Sequence, residues 1–379
     1  MKIALLTYST KPRGGVVHTL ALAEALAELG HIVEVWALAR GGDDGFFRPV
    51  DPAVRVRLVP FEDRAGEEVG SRIVHSIAEL AGALRADGLA ADVVHAQDCL
   101  SANAALAVRP DVLRTVHHID QFSTPELVTC HERALREPSG HVCVSRAVAA
   151  ELAAGWGIRA EVIPNGVAAD RFVAAADPSD PVAARRRADW RRELGRYVLA
   201  VGGIEPRKGT ADLVEAMARL RVDAPDVSLV LAGGDTLFDY RGYRDQVLAR
   251  AAELRVEPVV LGPVEHDALP ALMAAAEVFA FPSTKEGFGL AAMEALAAGV
   301  PVVLRDLPVL REVFGTAARF AATASSLAGA LAEALAERAT ERSAGERATQ
   351  AAGVALARRH TWAAAAQAHV RFYRERLGG

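Results

Sequence analysis

The chain has 379 residues and a formal charge of -5, with 51% of its residues hydrophobic and 24% charged. This length favours two domains, and the composition is typical of a globular protein rather than of a disordered chain or a fibre. A nucleic-acid-binding protein would be far more basic, so nucleic acid is not an expected partner. The sequence has three cysteines and no C-x-x-C pair, which argues against a disulfide scaffold, a redox pair and a structural zinc site.

Apolar runs and helix-like segments alternate along the first part of the chain. The predicted strands are residues 3–8, 31–38, 54–60, 92–95, 114–117 and 141–145, and the predicted helices are residues 17–29, 72–84 and 147–154. This alternation predicts a parallel β-sheet covered by helices on both faces. The first run lacks a cleavage site of small residues, and no run of about eighteen apolar residues exists, so we expect a cytoplasmic protein.

The same alternation begins again after the turn sequence Ile163-Pro164-Asn165-Gly166, which suits a hinge. The predicted strands of this part are residues 197–202, 227–233, 259–262, 278–282 and 300–304, and the predicted helices are residues 211–220, 243–254 and 290–298. Residues 327–376 are predicted to be almost wholly helical. Arginines clustered between positions 185 and 192 predict a solvated helix face, with weak peripheral contact to an anionic membrane as the alternative.

A glycine-rich segment, Glu286-Gly287-Phe288-Gly289-Leu290, lies between a predicted strand and a predicted helix that also carries Glu294. A glycine loop at the start of a helix exposes backbone N–H groups where the helix dipole favours an anion. Carboxylates accept hydrogen bonds from sugar hydroxyls. The segment therefore suits a ligand that has both phosphates and hydroxyl-rich rings, whereas an ordinary turn with two solvated glutamates is the alternative.

Two adjacent cations, Arg207 and Lys208, follow another predicted strand. A phosphate-bearing ligand carries negative charge, and without a metal that charge needs fixed cations. Arginine grips a phosphate bidentately and lysine acts as a point charge. The sequence has no Asp-x-Asp pair, so neither a metal nor another resident cofactor is expected. An exposed turn is the alternative interpretation of this pair.

The spacing Glu286-x7-Glu294 with Gly-Phe-Gly inside it resembles the signature of the retaining, nucleotide-sugar-dependent glycosyltransferases of family 4, also described as glycosyl transferases group 1. The match looks closest to a bacterial subgroup. This resemblance implies an α/β protein of the GT-B fold, in which two Rossmann-like domains face each other across a cleft. It also implies a terminal helix that crosses back to the first domain. The expected acceptor-binding domain is then residues 1–163 plus 362–379, and the nucleotide-sugar domain is residues 164–361.

The resemblance also implies roles for residues of the second domain. Glu286 would contact hydroxyls of the donor sugar, Glu294 would hold the ribose, and Lys208 with Arg207 would clamp the diphosphate. The usual family arginine is replaced here by Gly203, although one branch of the family carries the Glu-Pro-Arg-Lys found in this chain. The implied donor-binding positions of this domain are Gly203, Val264, Phe288, Gly289, Leu290 and Glu294.

Residues of the first domain receive roles in the same way. The pair Gly14 and Gly15 resembles the family loop that faces the donor phosphates, and the pattern Thr115-Val116-His117 places His117 beside the transferred sugar. A histidine at a buried strand end is otherwise more often structural. The positions expected on the acceptor side are His18, His95, Asp98, His118 and Asp120.

The expected reaction is transfer of a sugar from a nucleoside diphosphate to an acceptor hydroxyl with retention of anomeric configuration. Because no carboxylate stands out as a nucleophile, attack on the same face through an oxocarbenium-like state is favoured. Two alternatives remain open: a sugar-nucleotide 2-epimerase of the same fold, and a non-catalytic nucleotide-sugar-binding protein. The sequence does not reveal the donor base, the donor sugar or the acceptor, which could be a saccharide, a lipid-linked molecule or a small molecule.

Overall fold

A computed structural model describes residues 1–64, 66–234, 240–339 and 344–378. The chain divides into two compact units, of which the first contains Met1–Gly166 and Trp362–Gly379 and the second contains Val167–Thr361. The sequence analysis placed this boundary after residue 163, so Asn165 and Gly166 belong to the first unit rather than to the second. The C-terminal segment also belongs to the first unit.

The described part of the first unit forms a seven-stranded parallel sheet in the order β3-β2-β1-β4-β5-β6-β7. Its strands are β1 (Lys2–Thr7), β2 (Ile32–Arg40), β3 (Val54–Phe61), β4 (Val93–Ala96), β5 (Val112–Val116), β6 (Gly140–Cys143) and β7 (Glu161–Val162). The strand order reverses between β1 and β4. Such a reversal opens a crevice outside the carboxyl ends of the strands, which is where ligands bind in open α/β sheets.

The described part of the second unit forms a six-stranded parallel sheet in the order β10-β9-β8-β11-β12-β13. Its strands are β8 (Arg196–Val201), β9 (Val227–Ala232), β10 (Val259–Gly262), β11 (Val278–Phe281), β12 (Val302–Arg305) and β13 (Arg319–Ala321). Here the order reverses between β8 and β11. Two doubly wound sheets, each with one reversal point, confirm the predicted α/β class with two Rossmann-like domains.

Helices flank both sheets. They are α1 (Gly14–Glu28), α2 (Val69–Asp87), α3 (Cys99–Leu106), α4 (Pro125–Arg136), α5 (Arg146–Trp156), α6 (Ala169–Ala176), α7 (Pro181–Leu194), α8 (Thr210–Leu220), α9 (Arg241–Glu253), α10 (Leu269–Ala275), α11 (Leu290–Ala297), α12 (Pro308–Phe314), α13 (Ala324–Ala339), α14 (Ala344–Arg359) and α15 (Trp362–Leu377). The strand β1 shows why both faces need cover. Ile3 and Leu5 pack in the core under α1 and α15, while Ala4 and Leu6 pack in the core under α2 and α3.

Two differences from the predicted elements bear on the site. Helix α1 begins at Gly14 rather than at residue 17, so the glycine pair is the first turn of the helix and not a loop before it. Helices α3, α4, α6, α10 and α12 were not predicted. In α3 and α10 the reason is that almost all side chains are small or apolar, so no polar face marks the helical period. No helix among the described residues has the length and the apolar character needed to cross a bilayer.

Candidate functional site

Lys208 lies at the end of a short 3-10 helix, Pro206–Lys208, that follows β8. Its Nζ is 2.6 Å from Oε1 of Glu286 and 5.1 Å from the centre of the Phe281 ring. Gly202 makes room for this arrangement: its φ is +140°, and a Cβ there would lie 3.3 Å from Cε of Lys208. The backbone thus bends so that the lysine reaches over the end of the sheet.

Arg207 lies next to the same carboxylate. Its guanidinium is 3.5 Å from Oε1 of Glu286 and 3.0 Å from Oε1 of Glu205, whose side chain is almost completely buried. The backbone N–H of Thr284 donates to the carbonyl of Arg207 at 2.8 Å. Because β8 and β11 are neighbouring strands, this bond joins the two loops that follow them at the reversal point of the sheet. The structure therefore brings Arg207, Lys208 and Glu286 together.

Glu205 is a residue that the sequence analysis did not assign. It is 6% exposed, and its carboxylate orients the guanidinium of Arg207. The signal that could have found it is its place in the segment Glu-Pro-Arg-Lys, because a carboxylate beside an arginine in a turn restricts that arginine. Glu205 is a supporting residue that fixes one of the two cations.

Helix α11 begins directly after the glycine-rich segment. Gly289 has a φ of +92°, and no side chain caps the helix, so the first N–H groups of α11 have no partner within the helix. Phe288 is 2% exposed, and its ring packs edge-to-face on His360 with 5.4 Å between ring centres. The phenyl ring is therefore core, and Phe288 offers only its backbone to a ligand. Leu290 is the first residue of the helix and is half-buried.

Glu294 projects from the second turn of α11. Burial raises the pKa of its carboxyl from 4.5 to about 7, and the positive charge of Arg171 opposes this rise only in part. Within the described residues, no hydrogen bond reaches this carboxylate. A desolvated carboxyl group without a donor is costly unless a ligand supplies one. Glu294 thus has unused capacity to accept hydrogen bonds.

Two predicted donor positions lie around this cluster. Gly203 follows Gly202 in the loop after β8, and a Cβ on the neighbouring Gly233 would lie 2.7 Å from its nitrogen, so the two loops are in close contact. Val264 follows β10, which is separated from β8 by β9 in the sheet, and it is half-buried. Val264 is therefore at the same edge of the sheet but further along it.

His117 follows β5 at the carboxyl edge of the first sheet. A Cβ at Gly15 would lie 3.7 Å from both Cδ2 and Nε2 of His117, so the imidazole rests against the first turn of α1. Its Nε2 is shielded from solvent and has no hydrogen-bond partner within the described residues. Desolvation, with His18 and Arg114 nearby, holds the pKa of His117 well below its ordinary value. Gly14, one residue earlier, has open space around it.

The first turn of α1 is open to a ligand. Arg13 precedes the helix, and no side chain caps it. The first N–H groups of a helix have no intrahelical partner and carry partial positive charge, which favours an anion. The same observation holds for α11 in the second unit. Each unit therefore presents an uncapped helix start at the carboxyl edge of its sheet.

Three residues expected on the acceptor side have other roles. His95 is fully buried, and its ring nitrogens hydrogen-bond to the hydroxyls of Tyr373 at 2.7 Å and Thr115 at 2.8 Å. The prediction that His95 lines the acceptor side is wrong, because the strand places it under α15. His18 is also wrong as a lining residue: it is 1% exposed, and Asn165 is hydrogen-bonded to its Nδ1.

Asp98 is the third of these residues, and it caps α3. Its two carboxylate oxygens accept from the backbone N–H groups of Ser101 at 2.8 Å and Tyr8 at 2.9 Å. The Tyr8 bond ties the loop after β1 to the loop after β4, across the reversal point of the sheet. Asp98 therefore connects the loops that border this crevice. Because its side chain is half-buried, its place on the acceptor side stays a prediction, and the cap is an additional structural role.

His118 and Asp120 remain at the surface of the first unit. Nε2 of His118 is 2.9 Å from Oδ2 of Asp120, and both side chains are partly exposed. They stay candidates for the acceptor side. Gln97, which the sequence analysis did not assign, directly follows β4; it is 2% exposed, and its amide has no partner within the described residues. Its place between His95 and Asp98 is the signal that could have drawn attention to it.

The described residues contain no group of three or more His, Cys, Asp and Glu side chains that could hold a metal ion. In the second unit, the cations Lys208 and Arg207 lie beside Glu286. In the first unit, the candidates are the imidazole of His117, the pair His118 and Asp120, and the helix N–H groups of α1. The arrangement can bind an anion through both helix starts and accept hydroxyl donors at Glu286 and Glu294.

Comparisons with known proteins agree with this chemistry. The sequence profile described as "Glycosyltransferase Family 4" matches residues 12–171, and that described as "Glycosyl transferases group 1" matches residues 185–352. The phosphatidyl-myo-inositol mannosyltransferase of Mycobacterium tuberculosis is 30% identical over 337 residues, which cover 83% of this chain and 80% of that protein.

Solved structures with the same fold extend over the whole chain. A sucrose-phosphate synthase from Thermosynechococcus elongatus has a TM-score of 0.79 and 22% identity, and the match covers 99% of both chains. The Anabaena protein HepE, solved in complex with UDP and glucose, has a TM-score of 0.74 and 22% identity, and the match covers 98% of this chain and 99% of that one.

Proposed function

Because this chain belongs to the glycosyltransferases of family 4 and has their GT-B fold, we propose that it transfers a sugar from a nucleoside diphosphate to an acceptor hydroxyl with retention of configuration. Its identity as a glycosyltransferase rests on the family. The donor class rests on one observation above all: two cations and two carboxylates lie beside an uncapped helix start at the reversal point of the second sheet. This arrangement pairs binding groups for phosphates with binding groups for hydroxyls.

In this proposal the diphosphate lies against the first turn of α11 and is clamped by Lys208 and Arg207. Helix N–H groups and fixed cations stabilise the negative charge that grows as the glycosidic bond breaks. Since Glu205 holds Arg207, that cation is already oriented before the donor arrives. Lys208 would change partners on donor binding, because its Nζ is 2.6 Å from Oε1 of Glu286.

The two carboxylates then take different parts of the donor. Once Lys208 turns to the diphosphate, Glu286 is available to accept from hydroxyls of the transferred sugar. Glu294 accepts from the ribose hydroxyls, which supply the donors that its buried carboxyl lacks. Charge-assisted hydrogen bonds of this kind are shorter and about twice as strong as neutral ones. Ribose binding anchors the donor, and sugar binding orients the anomeric carbon.

His117 is assigned to the transferred sugar. Its low pKa keeps the imidazole neutral near pH 7, so it accepts a hydrogen bond without adding a positive charge beside an oxocarbenium-like centre. In same-face attack the departing phosphate oxygen takes the proton of the acceptor hydroxyl, and the sugar–oxygen bond to the acceptor forms as the bond to the diphosphate breaks. No protein nucleophile is needed for this route.

A thermal-shift screen of UDP, GDP, ADP and dTDP, each with and without its sugar, tests the donor class. We expect the nucleotides of one base to raise the melting temperature of the wild-type chain. The same nucleotides should not raise the melting temperature of Glu294→Ala. Incubation of the selected nucleotide sugar without acceptor then separates the alternatives. A 2-epimerase would change the sugar, a binding protein would leave the donor intact, and a glycosyltransferase would release only slow hydrolysis products. Retention is read from the anomeric configuration of the product.

A further inference from the structure

We infer that His18 is a positioning residue, which holds the imidazole of His117 in its working orientation from a second layer behind the site. This inference rests on the role proposed above for His117. His18 is 1% exposed, so it does not touch substrate itself. Its influence on the reaction would pass through His117 alone.

The contact between the two imidazoles is direct. Their ring centres are 4.8 Å apart, and the ring planes are 78° apart, which is an edge-to-face arrangement. Within the described residues, no hydrogen bond orients the ring of His117. Its orientation is therefore set by packing, with the first turn of α1 on one side at Gly15 and the ring of His18 as the aromatic partner. Loss of the His18 ring would free the imidazole to rotate.

His18 is itself held rigidly. Oδ1 of Asn165 accepts from Nδ1 at 2.9 Å, which fixes the proton of the neutral ring on Nδ1. Burial lowers the pKa of His18 to about 3, so the ring stays neutral throughout the working range. Trp362 packs edge-to-face on the other side, with 5.3 Å between ring centres. One hydrogen bond and one indole thus leave His18 a single orientation.

The residues that hold His18 stand where the chain leaves and re-enters the first unit. Asn165 precedes the last residue of that unit before the boundary, and Trp362 is the first residue after the return. Both connections between the units therefore end against His18. The orientation of His117 is tied in this way to the two connecting segments rather than to the sheet alone.

Two substitutions distinguish the effect of the His18 ring from that of its hydrogen bond to Asn165. His18→Asn keeps an N–H where Nδ1 stands, so Asn165 stays paired, but it removes the ring from His117. His18→Phe keeps the ring and leaves Oδ1 of Asn165 without its donor. Asn165→Ala, as a third variant, releases His18 without changing either imidazole. Each is made in the full chain, and its melting temperature is recorded as a check of folding.

The first readout is the titration of the His117 ring nitrogens by NMR with isotope-labelled histidine. The charged or titratable groups that face His117 are His18 on α1, His95 on β4, Arg114 on β5 and the adjacent His118. Of these groups only His18 is substituted, in His18→Asn and His18→Phe, and none is substituted in Asn165→Ala. Because desolvation is the main cause of the low pKa of His117, we expect that pKa to rise toward its ordinary value when His18→Asn removes the shielding ring. It should stay low in His18→Phe, with Asn165→Ala between them.

The second readout is turnover of UDP-glucose and GDP-mannose, followed by release of UDP or GDP. Because misplacement of a reacting group by about 1 Å can cost about a hundredfold, we expect kcat to fall ten- to a hundredfold in His18→Asn with unchanged affinity for UDP and GDP. In a His117→Ala background, His18→Asn should cause no further fall. That non-additivity separates positioning from a general loss of stability.

An unchanged titration of His117 in His18→Asn would overturn the inference, as would an equal loss of turnover with and without His117. If His117→Ala turned over normally, the proposed role of His117 would fail instead, and the NMR titration would still decide whether His18 holds the ring. Should His18→Asn not fold, Asn165→Ala and His18→Phe carry the same comparison.

Discussion

The candidate residues of both units follow the carboxyl ends of strands, but their electrostatics differ. In the second unit, Lys208 and Arg207 lie beside the carboxylates of Glu286 and Glu205, so this site consists of full charges of both signs. In the first unit, His117 is kept uncharged by its surroundings. A common scaffold thus carries two kinds of site. Under the proposed function, the charged half, Lys208 with Arg207, would suit a diphosphate, and the neutral half, the imidazole of His117, would suit a sugar whose ring carbon becomes positive.

The largest expected effect is on the charged half. Lys208→Met should reduce turnover of the nucleotide sugar by about a hundred- to a thousandfold, because it removes a fixed cation from the leaving diphosphate. It also leaves the carboxylate of Glu286 without its closest partner. Steady-state kinetics with the selected donor measure the loss. Lys2→Met, at the amino end of β1 in the first unit, is the control, and an equal loss in both variants would contradict the clamp.

On the neutral half, His117→Ala should lower kcat by about a hundredfold and leave the affinity for the nucleoside diphosphate nearly unchanged. The reason is that its contact is with the transferred sugar and strengthens in the transition state. Kinetics and calorimetry together give the two quantities. His31→Ala removes a histidine from the amino edge of the same sheet and should behave as wild type. Near-normal turnover of His117→Ala would remove the assignment.

The two carboxylates of the second unit should separate by the part of the donor that they contact. Glu294→Ala should weaken binding of the nucleoside diphosphate by ten- to a hundredfold, which corresponds to the roughly 1.5–3 kcal/mol of a hydrogen bond to a charged group. Glu286→Ala should chiefly reduce turnover. Calorimetry of both variants, with the nucleoside diphosphate and with the nucleotide sugar as ligands, distinguishes the two effects. Equal losses of diphosphate affinity in both variants would sink this division of roles.

Acidity should weaken donor binding through Glu294. Its pKa is about 7 in the ligand-free chain, and ribose hydroxyls donate best to the ionised carboxylate, so binding below that pH requires loss of a proton. Affinity for the nucleotide sugar should therefore be constant above pH 7 and fall below it by up to about tenfold per unit. Glu294→Gln cannot titrate and should give a flat profile. If the affinity of Glu294→Gln fell with pH in the same way, a group other than Glu294 would be responsible for the pH dependence.

The smallest expected effect is that of a chelator. EDTA should leave binding of the nucleoside diphosphate and turnover unchanged, because Arg207 and Lys208 supply the positive charge. Calorimetry before and after treatment measures this, with MgCl2 added back as the control. A loss that MgCl2 restores would show that the two cations need a metal beside them, and the comparison between the two halves would have to include it.

The sequence predicted the fold well where burial of a segment determines its pattern of apolar residues. Strands such as β1 are covered on both faces, so they appear as continuous apolar runs, and the alternation with helices follows. Helices α3 and α10 were missed because their side chains are apolar or small on every side. Helix α4 was not predicted either, although its buried residues follow a helical period.

The sequence predicted on which loop a site residue lies, but not which groups its side chain contacts. Parallel strands bring loops after neighbouring strands together, which is why Lys208 and Glu286 could be singled out. The partner of each side chain could not be predicted, because it depends on contacts far apart in sequence. His95 shows this: its ring bonds to Tyr373, a residue of the terminal helix, and so the histidine became core rather than site.

The contact between Lys208 and Glu286 also has a consequence for release of the nucleoside diphosphate. Lys208 and Glu286 are counterions of each other. Under the proposed function, departure of the diphosphate would therefore leave neither charge unmatched, because Glu286 would compete for the lysine once the sugar has moved away. We expect this exchange of counterions to limit affinity for the spent nucleotide and to favour its release.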